Sequence, residues 1–175
     1  ALEVAKARSE MMGIELDWRS FGEYLDKLDS TGLGLNSANF VGANVIRSAV
    51  MGQDPGPPSA KEMDQMKGMV AEAMQQGARG LSDGLEFVPG RYFSTEELIE
   101  LCKVAAEYGG VYMTHQRERD ILYEEAAEET IRIGKESGIK VHFSHYEVAI
   151  VCSHTRPQLL WMVDQARREG LDVTF

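Results

Sequence analysis

The sequence predicts an α/β fold in which parallel strands alternate with helices. Three observations carry that expectation. The second half of the 175-residue chain repeats one unit: a helical stretch, a glycine, then a short strand rich in β-branched and aromatic residues. The unit recurs at roughly 30 residues, the length of a βαβ step. Helix starts are marked by capping boxes, in which a Ser or Thr and a Glu or Gln three residues later satisfy free backbone N–H groups. Strands alternating with helices then imply a parallel sheet with helices outside it.

The repeats lie at the following places. Helical periodicity runs from about Thr95 to Glu107, followed by Gly109-Gly110 and the strand Val111 to His115. It returns from about Leu122 to Glu136, followed by Gly138 and Val141 to His145. The third unit runs from Pro157 to Arg168, then Gly170 and Leu171 to Phe175. Glycine after the last helical turn is the expected C-cap. Capping boxes read Ser20–Glu23, Ser59–Glu62, Ser94–Glu97 and Thr155–Gln158. The helix Ala60 to Gln76 carries Met63, Met66, Met69, Val70, Ala73 and Met74 at helical spacing, which predicts a core-facing stripe. Two further strands are expected at Leu35 to Val41 and Ala78 to Leu81. Gln53 to Ser59, with Pro55, Pro57 and Pro58, reads as a loop because proline removes donors and restricts its neighbours. Nothing marks a second domain. Five strands fit either an open doubly wound sheet or part of an eight-stranded barrel. No Gly-x-Gly-x-x-Gly or P-loop follows a strand, which weighs against a nucleotide site.

Composition narrows the function classes. A net charge of −10 argues against a nucleic-acid partner, which would require a basic stripe. No apolar run approaches the ~20 residues of a membrane span. Cys102 sits in an apolar helical stretch as an expected core residue, and Cys152 forms no pattern with it, so a reducing, cytoplasmic setting is expected. The chain starts Ala-Leu-Glu and stops within a strand-like run, so both ends read as cut.

The candidate chemistry lies at strand ends. His115 follows Val111 by four residues, and His145 follows Val141 by four. Side chains alternate along a strand, so Val111, Met113 and His115 share a face, and Val141, Phe143 and His145 are expected on the equivalent one. Two neutral imidazoles from neighbouring strands suit a zinc-like ion, while a lone strand-end histidine more often only packs. His142, of opposite phase, is expected to face the helices, and His154 to lie in a loop. Arg117, two residues after His115, suits either a fork for a substrate anion or the charged run Arg117 to Asp120. Glu124, Glu125, Glu128 and Glu129 read as the exposed side of a helix.

Gly80-Leu-Ser-Asp-Gly-Leu-Glu-Phe-Val-Pro-Gly90 resembles the Gly-Leu-Ser-Thr-Gly-Leu-Glu-Tyr-x-Pro-Gly segment of the N-acyl-D-amino-acid deacylases. Gly110-Val-Tyr-Met-Thr-His-Gln-Arg117 is similar to their Gly-Val-Tyr-x-x-His-x-Arg strand, and Val141-His-Phe-Ser-His145 to their strand ending Ser-His. Trp18, Ser20-Phe21, Glu23-Tyr24-Leu25, Val41-Gly42, Arg47 and Met51-Gly52 follow the same order, so the resemblance spans nearly the whole chain. It implies one partial domain, residues 1–175, of a TIM-like amidohydrolase barrel acting on a small-molecule amide. It also implies zinc, with His115 and His145 as ligands. The family's His-x-His pair, ligand cysteine and catalytic aspartate would lie outside this stretch.

Departures bear on the substrate. Phe87 replaces a tyrosine and Glu147 a lysine, both associated in the family with the substrate carboxylate. Ala43 replaces a histidine. A phenyl ring donates no hydrogen bond and a glutamate repels an anion, so a neutral or cationic amide, or a cyclic imide, is expected. Arg117 keeps a carboxylated substrate in play. The same departures would also suit a barrel that lost catalysis and serves in binding or assembly. In a third arrangement, an open α/β domain, the two histidines would only pack.

Overall fold

The computed structural model describes residues 9–13, 16–145 and 156–175. Helix α1 spans Phe21–Thr31, strand β1 Val41–Gly42, helix α2 Ala43–Met51 and helix α3 Ala60–Gln75. Strand β2 (Gly80–Gly84) follows, then a 3-10 turn at Gly90–Tyr92 and helix α4 (Thr95–Glu107). Strand β3 is Val111–His115, helix α5 Tyr123–Ser137, strand β4 Lys140–Phe143, helix α6 Arg156–Arg168 and strand β5 Val173–Thr174.

Three capping boxes stand as expected, at Ser20, Ser59 and Ser94, each with both reciprocal hydrogen bonds. Thr155 of the fourth lies outside the described residues. The strands form one parallel sheet in the order β1-β2-β3-β4-β5. That order separates the two candidate architectures. A doubly wound sheet reverses its strand order at a switch point, placing helices on both faces. Strands laid down in sequence by right-handed crossovers keep every helix on one side, as in an arc of a barrel. The core lies in that single seam. Leu81, Tyr112, Val141, Phe143 and Val173 face Val70, Leu98, Leu101, Cys102, Ile133, Leu159 and Val163.

The structure departs from expectation in four places. The strand expected from Leu35 contracts to Val41–Gly42, because the polar approach through Asn36, Ser37 and Asn39 meets no partner strand. It is held by the Asn39 carbonyl, which accepts from the Arg79 amide at 2.8 Å. Strand β2 lies later than Ala78 to Leu81. Its Gly-Leu-Ser-Asp-Gly composition suggests a turn, but five rungs of pairing with β3 override that propensity. Gly80 is required there, since a Cβ would stand 1.9 Å from the Val111 carbonyl oxygen. Helix α2 went unanticipated, because its N-cap is Gly42 and carries no side-chain cap.

The fourth difference concerns the histidines. Lys140 pairs with Val111, so Val141 faces Tyr112 and Phe143 faces Thr114 across the ladder. Val141 and Phe143 therefore join the helix-covered face, and His142 lies beside Met113 on the open one. The expectation for His142 was inverted. β4 enters the ladder one residue earlier than its resemblance to β3 suggests, and a one-residue offset moves every side chain to the other face. His142 Nδ1 lies 2.8 Å from Thr174 Oγ1 on β5.

Candidate metal-binding site

His115 is the last residue of β3, and its ring leaves the sheet at the C-terminal edge. β4 ends two residues before His145. The Ser144 amide still donates to the Thr114 carbonyl at 3.0 Å, and the Tyr123 hydroxyl donates to the His145 carbonyl at 3.2 Å. Strand alternation lapses past Phe143, and the two imidazoles meet edge to face with centroids 5.0 Å apart. The histidines thus converge, by a route other than a shared strand face.

The turn after β2 covers them. Asn44 of α2 reads both sides of Gly84, donating to its carbonyl at 3.0 Å and accepting from its amide at 3.2 Å. The Leu85 amide donates to the His115 carbonyl at 2.9 Å. Gly90 closes the turn, where a Cβ would fall 2.5 Å from both the Asn44 amide and the Gly84 carbonyl. So held, the turn places Glu86 and Phe87 over His115. Phe87 lies 5.0 Å from the His115 ring at 39° and is more than half exposed. Glu86 Oε2 lies 2.7 Å from His115 Nε2 and 3.3 Å from Arg119 Nη2. The His115 contact, with Arg119 nearby, holds the Glu86 carboxyl below its usual range.

Behind the edge, between sheet and helices, lies a second group. The Tyr112 hydroxyl donates to Asp83, and the Thr114 hydroxyl does so at 2.6 Å. Burial pushes the Asp83 carboxyl up to about 7 even though the two hydroxyls favour its anion. Burial likewise raises the thiol of Cys102, which is a core residue as expected. Gln116 is 2% exposed, and its amide has no hydrogen-bond partner.

Arg117 makes four hydrogen bonds within the chain. It forks onto Glu129 of α5 at 3.0 and 2.9 Å, and donates to the Arg91 and Phe93 carbonyls at 2.9 and 2.8 Å. Burial works against its charge, but the Glu129 fork outweighs this and raises the guanidinium above its usual value. Glu129 also accepts from Thr95 at 2.8 Å, so it is an internal anchor rather than part of a solvated helix face.

Of the residues singled out from sequence, His115, His145 and Phe87 come together, and Arg117 is engaged elsewhere. Glu147, Cys152 and His154 lie outside the described residues. Asp83, Glu86, Asn44 and Gln116 were not singled out. The capping boxes do not touch them, and only the quoted segments, the glycine-rich one with Asp83 and Glu86 and the one ending at Arg117 with Gln116, pointed at their neighbourhood. The paired imidazoles suit zinc, which takes neutral histidine nitrogens, but they supply two of about four ligands. Among the described residues no group of three or more His, Cys, Asp or Glu side chains forms a complete cage. No helix among them is long and apolar enough to cross a membrane.

Comparison with known proteins agrees with this fold. A D-aminoacylase whose crystal structure defines a subset of amidohydrolases superposes with a TM-score of 0.83 at 33% identity, covering 89% of this chain and 33% of that one. The chain is accordingly a stretch of an amidohydrolase barrel. No family model matches the sequence. The D-aminoacylase of Alcaligenes xylosoxydans xylosoxydans is 38% identical over 128 residues, 73% of this chain and 26% of the relative. The N-acyl-D-glutamate deacylase of Bordetella bronchiseptica, solved with zinc and a phosphonate mimic of the tetrahedral intermediate, superposes with a TM-score of 0.84 at 32% identity, over 89% of this chain and 33% of that one. This chain belongs to the D-aminoacylase family of amidohydrolases and spans about a quarter to a third of these relatives' length.

Proposed function

We propose that this chain contributes the histidine edge of a zinc-dependent amidohydrolase that cleaves the amide of a small N-acylated substrate. The observation that carries the reading is the meeting of His115 and His145, from neighbouring strands, with ring centroids 5.0 Å apart. Zinc, when bound, supplies Lewis acidity and a water acidic enough to attack an amide carbonyl. His115 and His145 would hold it, and the remaining ligands and the catalytic aspartate belong to segments outside residues 1–175.

The chain's own residues shape the substrate side. Phe87 lays an apolar ring beside His115 and offers no donor to a carboxylate. Arg117 acts as a clamp between α5 and the 3-10 turn, because an anion would have to displace Glu129 to reach it. With Glu147 in place of a lysine, the substrate is a neutral or cationic amide rather than a free N-acyl amino acid. A barrel without catalysis remains the second reading, favoured by the changes at Phe87, Glu147 and Ala43.

Metal content of the full-length protein tests the first reading. Near-stoichiometric zinc in the parent and its loss in a His115→Ala, His145→Ala variant is the expected result. A folded parent that takes up no zinc when supplied would overturn it. Zinc without turnover of N-acyl amino acids, neutral amides or cyclic imides would point to the second reading.

A further inference from the structure

Glu86 has no part of its own in the proposed reaction, yet it makes a close polar contact with the ring of His115, one of the two proposed ligands. Its Oε2 sits 2.7 Å from Nε2, and Arg119 Nη2 reaches the same oxygen at 3.3 Å. The turn carrying it is built rather than loose. Asn44 pins Gly84, Leu85 is bonded to the His115 carbonyl, and the Phe87 amide donates to the Gly84 carbonyl at 3.2 Å. The carboxylate therefore approaches the ring from a fixed direction.

A carboxylate in neutral water is an acceptor only. A neutral imidazole carries one N–H and one lone pair. An acceptor at Nε2 requires the hydrogen there, which leaves the lone pair on Nδ1. We propose that Glu86 is a positioning residue that fixes His115 as its Nε2–H tautomer and so presents Nδ1 as the metal-facing atom. Arg119 reaches the same carboxylate oxygen at 3.3 Å and helps to hold it, and the Phe87 ring packs 5.0 Å from the imidazole. Carboxylates that orient ligand histidines commonly change metal affinity about 10–100-fold when removed. The assignment rests on the reading of His115 as a ligand, and the test keeps the two apart.

The experiment uses full-length protein with 15N-labelled histidine, stripped of metal, with zinc as the only probe. Two-bond 15N–1H correlations report the His115 tautomer, and competition with a chromophoric chelator reports zinc affinity. The expected result is the Nε2–H tautomer in the parent and a mixture in Glu86→Ala, whose zinc affinity falls about 10–100-fold. Glu86→Gln, which keeps an acceptor oxygen, should recover much of both. If His115→Ala leaves zinc affinity unchanged, the ligand reading itself fails. If His115→Ala loses zinc while Glu86→Ala keeps parental affinity and tautomer, only the role of Glu86 fails. Should Glu86→Ala not fold, the parent spectrum decides, because an Nδ1–H tautomer overturns the proposal.

Discussion

At the scale of single residues, the most consequential group outside the histidine pair is Asp83. Burial raises its carboxyl from 3.8 to about 7, against the pull of the Thr114 and Tyr112 hydroxyls, with Glu129 adding to the rise and Arg117 opposing it. The folded chain thus binds this proton more tightly than the unfolded chain does. The associated stability is fully present below about pH 4 and is lost as pH rises through about 7. Urea unfolding of the full-length protein at pH 5 and pH 8 measures this. Asp83→Asn, which carries no titrating proton, should flatten the pH dependence and exceed the parent at pH 8 by an amount on the order of 2–4 kcal/mol. Parallel pH curves for parent and variant would rule the account out. Asp83 was illegible in the sequence for a physical reason. An aspartate between serine and glycine reads as turn chemistry, and only the pairing of β2 with β3 turns it inward. His115 was legible because strand-end position and residue type coincide there. Glu86 was not, since its role depends on a turn fixed by Asn44, forty residues upstream.

At the scale of elements, helix boundaries were the most legible feature, because a capping box is a local device that neighbours do not override. Helix α4 spans Thr95–Glu107, as its sequence indicates. Strand register was the least legible. The likeness between β3 and β4 suggested a common phase, but register is set by the ladder, and β4 starts one rung early. Glu129 of α5 receives both Thr95, the first residue of α4, and Arg117, which follows β3, so one carboxylate ties these segments together. Removing it strands a partly buried guanidinium without a counter-charge. Glu129→Gln should therefore cost about 1–3 kcal/mol in chemical denaturation, below the 3–5 kcal/mol of a fully buried pair because both partners keep some exposure. Glu128→Gln, one residue away and exposed on the same helix, should stay within about 0.5 kcal/mol. Equal losses in the two variants would show that the fork is not what anchors α5.

At the scale of the whole molecule, the repeat of helix, glycine and strand gave a parallel sheet but not its closure. Only the sequential order of five strands distinguishes a barrel arc from a doubly wound sheet. That order has an energetic consequence for the proposed zinc. His115 ends one strand, His145 follows the end of the next, and Glu86 lies in the turn after a third, so metal held between the histidines would add a cross-link between segments already joined by backbone rungs and side-chain contacts. A ligand that binds only the folded state stabilises it by about 2.7 kcal/mol at 100 times its dissociation constant. For a protein of several hundred residues, with an unfolding entropy of about 2.1 cal/mol/K per residue, each kcal/mol corresponds to a rise in Tm of about 1 °C. Zinc added to the stripped full-length protein should therefore raise Tm by roughly 3 °C at that saturation, and a chelator should reverse the rise. The His115→Ala, His145→Ala variant should show no zinc-dependent rise while keeping the Tm of the stripped parent within a few degrees, since neither ring belongs to the helix-side core. A rise that survives in the variant would place the metal away from these histidines, and no rise in the parent would leave them as a packing pair.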